Sequence, residues 1–352
     1  MTLEETEIMT HPIKALLVGC GGISRAWLNA IKDMPDVALV GFVDLREEAA
    51  RARAEEYGWT DALIGTDVAA ALDHTRPDVV FDCTVPEAHH DVTLTALQHG
   101  CHVLGEKPLA DTLEHARAMV AAARTAGKLY AVIQNRRYDA NIRRLKHFLD
   151  SGVLGRITTV NSDFCIGAHF GGFRDHMKHV LLVDMAIHTF DMARLLTGAD
   201  ADAVYCHEWN PAGSWYDHDA SAIATFEMSG GLVYSYRGSW CAEGLNTTWE
   251  CAWRIIGEKG TVLWDGATGF TAQIVAGHGG FFSEWESVDV PGYENPDKTG
   301  GHGGVIREFV RCVQTGETPE TICTDNIKSL AMVFGAVKSA ESHNRVQIAN
   351  GK

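Results

Sequence analysis

Ile13-Lys-Ala-Leu-Leu-Val-Gly19-Cys-Gly21-Gly22-Ile23-Ser24, a mixed run to Met34, and Val37-Ala-Leu-Val-Gly-Phe-Val-Asp44 form the stretch whose reading decides the fold. Residues 15–18 are apolar without interruption, as in a strand buried on both faces. Two glycines follow at once. Residues 24–34 place apolar and polar side chains at helical spacing, and residues 37–43 form a second apolar strand that closes on an acid. The order is strand, glycine turn, helix, strand, carboxylate. Gly19 permits a tight turn, and Gly21 lets the backbone approach a pyrophosphate. The helix that starts there aims unpaired N–H groups and its positive dipole end at phosphate. Asp44 is placed to accept hydrogen bonds from an adenine ribose. Ser24 stands where a third glycine is usual, so the helix must pack with a small hydroxyl. The reading is a dinucleotide site; its rival is a plain α/β turn.

Outward from this stretch, strands and helices keep alternating. After Asp44 a helix rich in Ala, Glu and Arg opens. Arg46 is placed to accept a 2′-phosphate, but Asp44 would repel that phosphate, which favours NAD over NADP. Residues 78–83 read as a buried strand, and Thr84-Val-Pro86-Glu-Ala-His89 as the loop at its C-terminal end, where open α/β sheets bind ligands. Residues 92–99 are helical. Residues 102–105 form a strand that runs into Glu106-Lys107-Pro108. Residues 112–126 form a helix stopped by Gly127, and residues 129–133 one more strand. This predicts a parallel, doubly wound domain over residues 1–134, with residues 1–12 a loose tail. Two readings fit Glu106-Lys107-Pro108. One is an exposed ion pair before a turn proline. The other is a lysine that touches both the nicotinamide ribose and a substrate hydroxyl, with Glu106 holding it.

The pattern changes after Asn135. Arg137-Tyr138 leads into a helix over residues 141–151. Residues 157–164, 203–208, 221–228, 232–239, 248–256 and 261–265 then alternate apolar and polar positions, which indicates antiparallel strands with one wet face. The expectation is a second domain over residues 135–352, a large open, mostly antiparallel sheet with a few helices. Five tryptophans (215, 240, 249, 253 and 264) concentrate in it, suited to a sheet core, a subunit interface or a sugar site. Between the strands lies an apolar helical run, residues 181–196. Asp184 and His188 share one face of it at i and i+4. Three readings stay open for this pair: support of the helix, acid–base chemistry, or metal binding together with His176 and His179. No zincin spacing is present, and no metal is assigned. Residues 277–304 read as a long glycine-rich loop carrying His302, with closing helices over residues 305–314 and 326–342.

Composition narrows the function classes. The 352 residues suggest two domains, and 46% hydrophobic with 22% charged residues describe an ordinary globular chain. A net charge of −16 argues against nucleic acid. No apolar run reaches membrane-spanning length, and the first residues carry no signal-peptide pattern. Nine scattered cysteines without C-x-x-C fit a reducing, cytoplasmic setting.

Taken jointly, Gly19-Cys-Gly-Gly-Ile23, Thr84 to His89, Glu106-Lys107-Pro108, Asp184-x-x-x-His188 with Asp191, and Asp325-Asn-Ile-Lys-Ser329 resemble the glucose–fructose oxidoreductase / inositol dehydrogenase (Gfo/Idh/MocA) family over nearly the whole chain. The resemblance implies a Rossmann domain followed by an α/β domain with an open sheet, NAD or NADP as cofactor, and sugars, cyclitols or their derivatives as substrates. It also implies a homodimer or homotetramer formed through that sheet. Lys107, Asp184 and His188 correspond to the catalytic set. Cofactor contacts fall to Gly19, Gly21, Gly22, Ile23, Asp44, Arg46, Thr84, Pro86, His89, Glu106 and Lys107. Arg137, Tyr138, Arg174 and His302 are candidate substrate contacts. Lys178-His179-Val180 departs from the glycines common in the family before this helix. The expectation is an NAD-dependent dehydrogenase acting on a secondary alcohol. Its alternatives are a metal-assisted hydrolase, lyase or isomerase, and an NAD(P)-sensing protein without turnover.

Overall fold

A computed structural model describes residues 11–349, so the expected tail falls almost wholly outside the described residues. The chain divides into two compact units: the residues up to Tyr138 with Pro296–Ile327, and Asp139–Asn295 with the chain from Lys328 on.

The first unit is built on six parallel strands, β1 (Ile13–Val18), β2 (Val37–Val43), β3 (Leu63–Gly65), β4 (Val79–Asp82), β5 (His102–Gly105) and β6 (Tyr130–Val132), in the order β3-β2-β1-β4-β5-β6. Helices α1 (Ser24–Ile31), α2 (Glu47–Tyr57), α3 (Val68–Thr75), α4 (Pro86–Gln98) and α5 (Leu113–Ala126) connect them. The uninterrupted apolar runs become strands buried on both faces: every residue of β1 except Lys14 is buried, and every residue of β4. Strand order reverses between β1 and β4, which makes their C-terminal ends the ligand-binding edge. Thr112 caps α5 by accepting from the N–H of His115, and Gly127 ends it in the left-handed conformation. Two elements have no counterpart in the sequence reading, β3 and α3. Residues 84–89 also differ, because α4 already starts at Pro86, a residue suited to a first helical position.

The second unit holds α6 (Ala140–Asp150), β7 (Ile157–Cys165), α7 (Ile187–Thr197), β8 (Ala201–Trp209), β9 (Ser221–Met228), β10 (Val233–Ser239), β11 (Ala252–Gly257), β12 (Gly260–Trp264), β13 (Phe270–Gly277) and β14 (Glu284–Val288). Helices α8 (Gly301–Thr315) and α9 (Cys323–Ser342) and strand β15 (Val346–Gln347) close the chain. The nine-stranded sheet runs β14-β13-β12-β11-β7-β10-β9-β8-β15 and is antiparallel except where β10 pairs with β7. One face is covered. Phe190 of α7 packs edge-on against Phe226, Tyr234 and Tyr236, and truncating so buried a ring costs about 3–5 kcal/mol. Trp240, Trp253 and Trp264 are buried as well, so most of the tryptophans serve the core and not the wet face. The other face is open, with Asn161, Asp163, Thr225, Ser235, Arg237 and Arg254 lining a shallow hollow.

The glycine-rich stretch is not one loop. It contains β14, an edge strand exposed along most of its length, and α8 begins at Gly301, four residues earlier than read from the sequence. The apolar face of α8, with Val305, Ile306, Phe309, Val310 and Val313, joins Trp27, Leu28 and Tyr138 in the core of the first unit. Residues 296–327, expected in the second domain, therefore pack with the first. No helix of the described residues is long and apolar enough to cross a membrane.

Candidate active site

In the first unit the site grows from the ends of β1 and β4. Gly19 has φ +88°, and a Cβ there would sit 2.6 Å from the carbonyl carbon of Cys83 and 2.7 Å from the nitrogen of Thr84. The two strand ends meet only because that atom is missing. Around Gly21 and Gly22 an added Cβ would meet nothing within 4 Å, so the turn opens onto free space. Ser24 answers the question raised by the missing third glycine: it is fully buried, and its hydroxyl donates to the Gly21 carbonyl at 2.7 Å. Ile23 stands exposed at the start of α1, whose first turn holds no acid that would oppose a phosphate. Asp44 is fixed by two backbone amides, accepting from Cys20 N–H and from Arg46 N–H, both at 2.9 Å. The Arg46 side chain is exposed beside it. An open glycine turn, a helix start free of acids and an anchored carboxylate fit a dinucleotide.

Arg53 was missed in the sequence, where it sits in a charged run that reads as a solvated helix face. It is buried, and its guanidinium donates to the carbonyls of Cys20 at 3.1 Å and Gly21 at 3.0 Å while pairing with Glu56 at 2.5 Å. A buried cation thus fastens the glycine turn from behind, leaving its amide side outward. Burial and Asp44 push the Cys20 thiol up to about 12 against the pull of Arg53, so it stays protonated.

Thr84 and His89 close the turn after β4. Thr84 donates from N–H and hydroxyl to Asp82, at 3.0 and 2.5 Å, and His89 Nδ1 lies 2.9 Å from the same carboxylate. His89 is buried; burial pulls its pKa down, and the charge and hydrogen bond of Asp82 overcome this and raise it. Pro86 opens α4. At the end of β5 the Lys107–Pro108 bond is cis. Glu106 is buried and accepts from the Trp27 indole N–H at 2.7 Å and from the Lys107 backbone N–H at 3.1 Å. His302, in the first turn of α8, brings Nε2 to 3.9 Å from Glu106, and its Nδ1 lies 3.5 Å from Asn135. Burial lowers the His302 pKa, Glu106 opposes and Lys107 adds to the lowering, so the ring is neutral at neutral pH. Glu106, Lys107 and His302 are thus brought together.

Arg137 and Tyr138, the other two candidates of this unit, are engaged with the chain itself. Arg137 is buried and donates to Asp325 at 2.9 Å and to the Glu320 carbonyl at 3.3 Å. Tyr138 is fully buried, with its hydroxyl on Glu308. Both tie the 3₁₀ turn Asn135–Tyr138 to the segment around α8.

In the second unit the run expected as one helix has two parts. Residues Leu181–Ala186 form a π-helical turn that carries Asp184, and α7 carries His188 in its first turn. Such wide turns are rare and frequent at functional sites. Asp184 accepts from Arg174 Nε at 2.7 Å, so two sequence candidates do meet. His188 is buried. Asp191, one turn further, accepts from Ser329 at 2.6 Å, while Lys328 reaches Asp200 at 2.6 Å. The Lys-Ser of the C-terminal motif therefore ties α9 to α7 through Ser329 and to the residues just after α7 through Lys328. The four residues weighed as metal ligands do not gather. His176 pairs with Asp217, His179 with Glu208, both at 2.6 Å, and Asp184 with Arg174. Among the described residues no cluster of three or more His, Cys, Asp or Glu is arranged to hold a metal ion.

Comparison with known proteins bears on this arrangement. The family model described as "Oxidoreductase family, NAD-binding Rossmann fold" matches residues 13–134, and the one described as "GFO/IDH/MocA C-terminal domain" matches residues 142–263. A D-glucoside 3-dehydrogenase of Escherichia coli (strain K12) is 30% identical over 65% of this chain and 71% of that protein. A myo-inositol 2-dehydrogenase of Thermotoga maritima is 23% identical over 94% of this chain and 97% of its own. The crystal structure of an oxidoreductase from Agrobacterium radiobacter in complex with NAD+, L-tartaric acid and magnesium is similar in fold, with a TM-score of 0.83 at 21% identity, covering 96% of this chain and 98% of that one.

Proposed function

The chain belongs to the Gfo/Idh/MocA family of NAD-binding oxidoreductases, and from that premise we propose that it moves a hydride between a secondary alcohol of a sugar, cyclitol or derivative and NAD. The observation that carries this reading is the anchored, open glycine turn with Asp44, in the same unit as the Glu106–Lys107 strand end. The turn from Gly19 to Ser24 and Asp44 hold the dinucleotide. NAD, when bound, supplies the hydride acceptor or donor at the reacting carbon.

The remaining work falls to side chains. Lys107 donates a hydrogen bond to the carbinol oxygen and stabilises alkoxide charge as it develops. His188 takes the hydroxyl proton as general base and returns it in the reverse direction. Asp184, held by Arg174, orients the substrate. These roles rest on residue type, on the family resemblance and on the environment of each group. Recognition of a neutral carbohydrate depends on directed hydrogen bonds and ring stacking.

The open sheet face is assigned to a second copy of the chain. Ile223, Val233 and Leu263 stand exposed on the strands of that sheet. A clean monomer in sedimentation equilibrium at micromolar concentration would remove this part. The cysteine pattern supports a cytoplasmic setting, seven of the nine being buried. The test of the main reading is NADH absorbance with a panel of inositols, free sugars, glycosides and sugar acids, with NAD and NADP. Turnover of a carbohydrate alcohol supports it. Tight NADH binding without turnover of any would leave an NAD-sensing protein instead.

A further inference from the structure

Beside Asp184 the second unit carries an aromatic wall for which the hydride-transfer reading has no use. The Arg174 guanidinium that holds Asp184 lies over the ring of Phe170 at 4.9 Å and over that of Phe173 at 4.8 Å. Phe170 in turn meets Trp249, with ring centroids 6.3 Å apart and planes 51° from parallel. These three rings are exposed, Phe170 and Trp249 by 45% and Phe173 by 66%. Phe170 and Trp249 are backed from inside: Trp240 is buried and meets Phe170 edge-on at 5.3 Å and Trp249 at 5.7 Å, and the buried Phe164 meets both tryptophans. Phe170 and Trp249 are therefore held in fixed orientations and ready to bind without further ordering, and Phe173 rests on the Arg174 guanidinium.

Three observations say what covers them. The wall is continuous with the Arg174–Asp184 pair, one guanidinium away from the carboxylate assigned to the substrate. Its rings are tilted into a corner, which receives the face of one ring against the edge of another. Its composition, mostly aromatic with a single charged pair, is that of a small-ligand site. We propose that the wall is a subsite for the aglycone of a glycoside, so that the substrate class is a sugar whose anomeric oxygen carries a second ring, and not a free monosaccharide or a bare cyclitol. The reacting sugar lies toward Asp184. The aglycone, an aromatic ring or the C–H face of another sugar, stacks on Phe173, Phe170 and Trp249. This rests on the dehydrogenase reading above.

The test uses the full-length protein saturated with NAD and four probes: D-glucose, myo-inositol, methyl β-D-glucoside and phenyl β-D-glucoside. KM and kcat come from NADH absorbance, and probe binding is measured separately by quenching of tryptophan fluorescence. The phenyl glucoside is expected to have the lowest KM. Phe173→Ala and Trp249→Ala should each raise that KM roughly three- to tenfold, leave kcat nearly unchanged, and leave the KM of D-glucose where it was. Equal KM values for D-glucose and phenyl glucoside overturn the aglycone subsite and leave the dehydrogenase standing. So do losses in the variants that are equal for both substrates. A preference for phenyl glucoside in binding with no turnover of any probe overturns the dehydrogenase reading and keeps the wall as a glycoside site. Sedimentation that shifts to a smaller species in Phe173→Ala, with KM unchanged, assigns the rings to a subunit contact and overturns the proposal.

Discussion

The glycine turn of the first unit and the π-helical turn of the second are held by different kinds of bond. Around Gly19–Ser24 the fixing bonds run between a side chain and the backbone: Asp44 to two amides, Ser24 to one carbonyl, Arg53 to two. Around Asp184 they run between side chains of distant segments, Arg174 to Asp184, His179 to Glu208 and Ser329 to Asp191. Backbone groups are the same in every sequence, so the first site is written in glycine positions and one carboxylate. The second depends on which side chains meet.

The largest effect that would sharpen this contrast is catalytic. Lys107→Met should lower turnover by about 10²–10⁴-fold. NADH affinity should change little, because Gly19–Ser24 and Asp44 are untouched. On the roles proposed above, the loss should not add to that of His188→Asn, because residues that act in one chemical step are not additive. A fall of only a few-fold in steady-state turnover would take Lys107 out of the chemistry.

Two histidines, one in each unit, should answer pH in opposite directions. His102 at the start of β5 accepts the Leu129 N–H at 3.0 Å. Burial first, then Lys128, hold its pKa down to about 4 against Asp78. Because the unfolded chain binds this proton more readily, the neutral ring's contribution is present above about pH 6.5 and is lost as pH falls toward 4. His102→Asn should flatten that loss by on the order of 2–3 kcal/mol in urea unfolding. In the second unit His179 is raised, chiefly by its hydrogen bond to Glu208, and Glu208 is raised by burial. There the folded state binds protons more readily, and the contribution present at low pH is lost as pH rises through the folded values. His179→Gln should remove the histidine's own part of that loss and raise Glu208 further, because His179 is what pulls Glu208 down, and an unchanged pH profile in both variants would contradict these assignments.

Much of the first region was legible in the sequence, because a strand buried on both faces, a glycine turn and a closing acid leave few alternatives. Arg53 was not, since its burial depends on where α2 meets the turn and its neighbours in sequence are charged. In the second unit the alternating strands announced themselves, but β14 did not: nearly all of it is exposed, so it shows no alternation. The π-helical turn is hidden too, because apolar spacing near 3.6 residues does not distinguish it from an α-helix over six residues. Arg137 and Tyr138 were candidate substrate contacts in the sequence. The structure instead couples them to residues far along the chain, Asp325 and Glu308, which no local pattern foretells.

Smaller effects probe the cofactor side alone. NADH should bind more tightly than NADPH by about tenfold or more, because a 2′-phosphate would stand beside the anchored Asp44. A preference for NADPH in competitive titration would make Arg46 the dominant residue. Arg53→Met should weaken ADP and NADH by up to about tenfold, the worth of one charge-assisted hydrogen-bond group, while adenosine, which lacks the diphosphate, should bind as before. Equal losses for adenosine and ADP would show a general loosening of the unit.

The most direct test of the account is to measure NADH binding and turnover side by side in His188→Asn, once a carbohydrate substrate is in hand. The account predicts an NADH dissociation constant close to that of the unaltered protein and turnover lower by about 10²–10⁴-fold. A variant that keeps most of its turnover would contradict it, as would one that loses NADH binding in step with turnover.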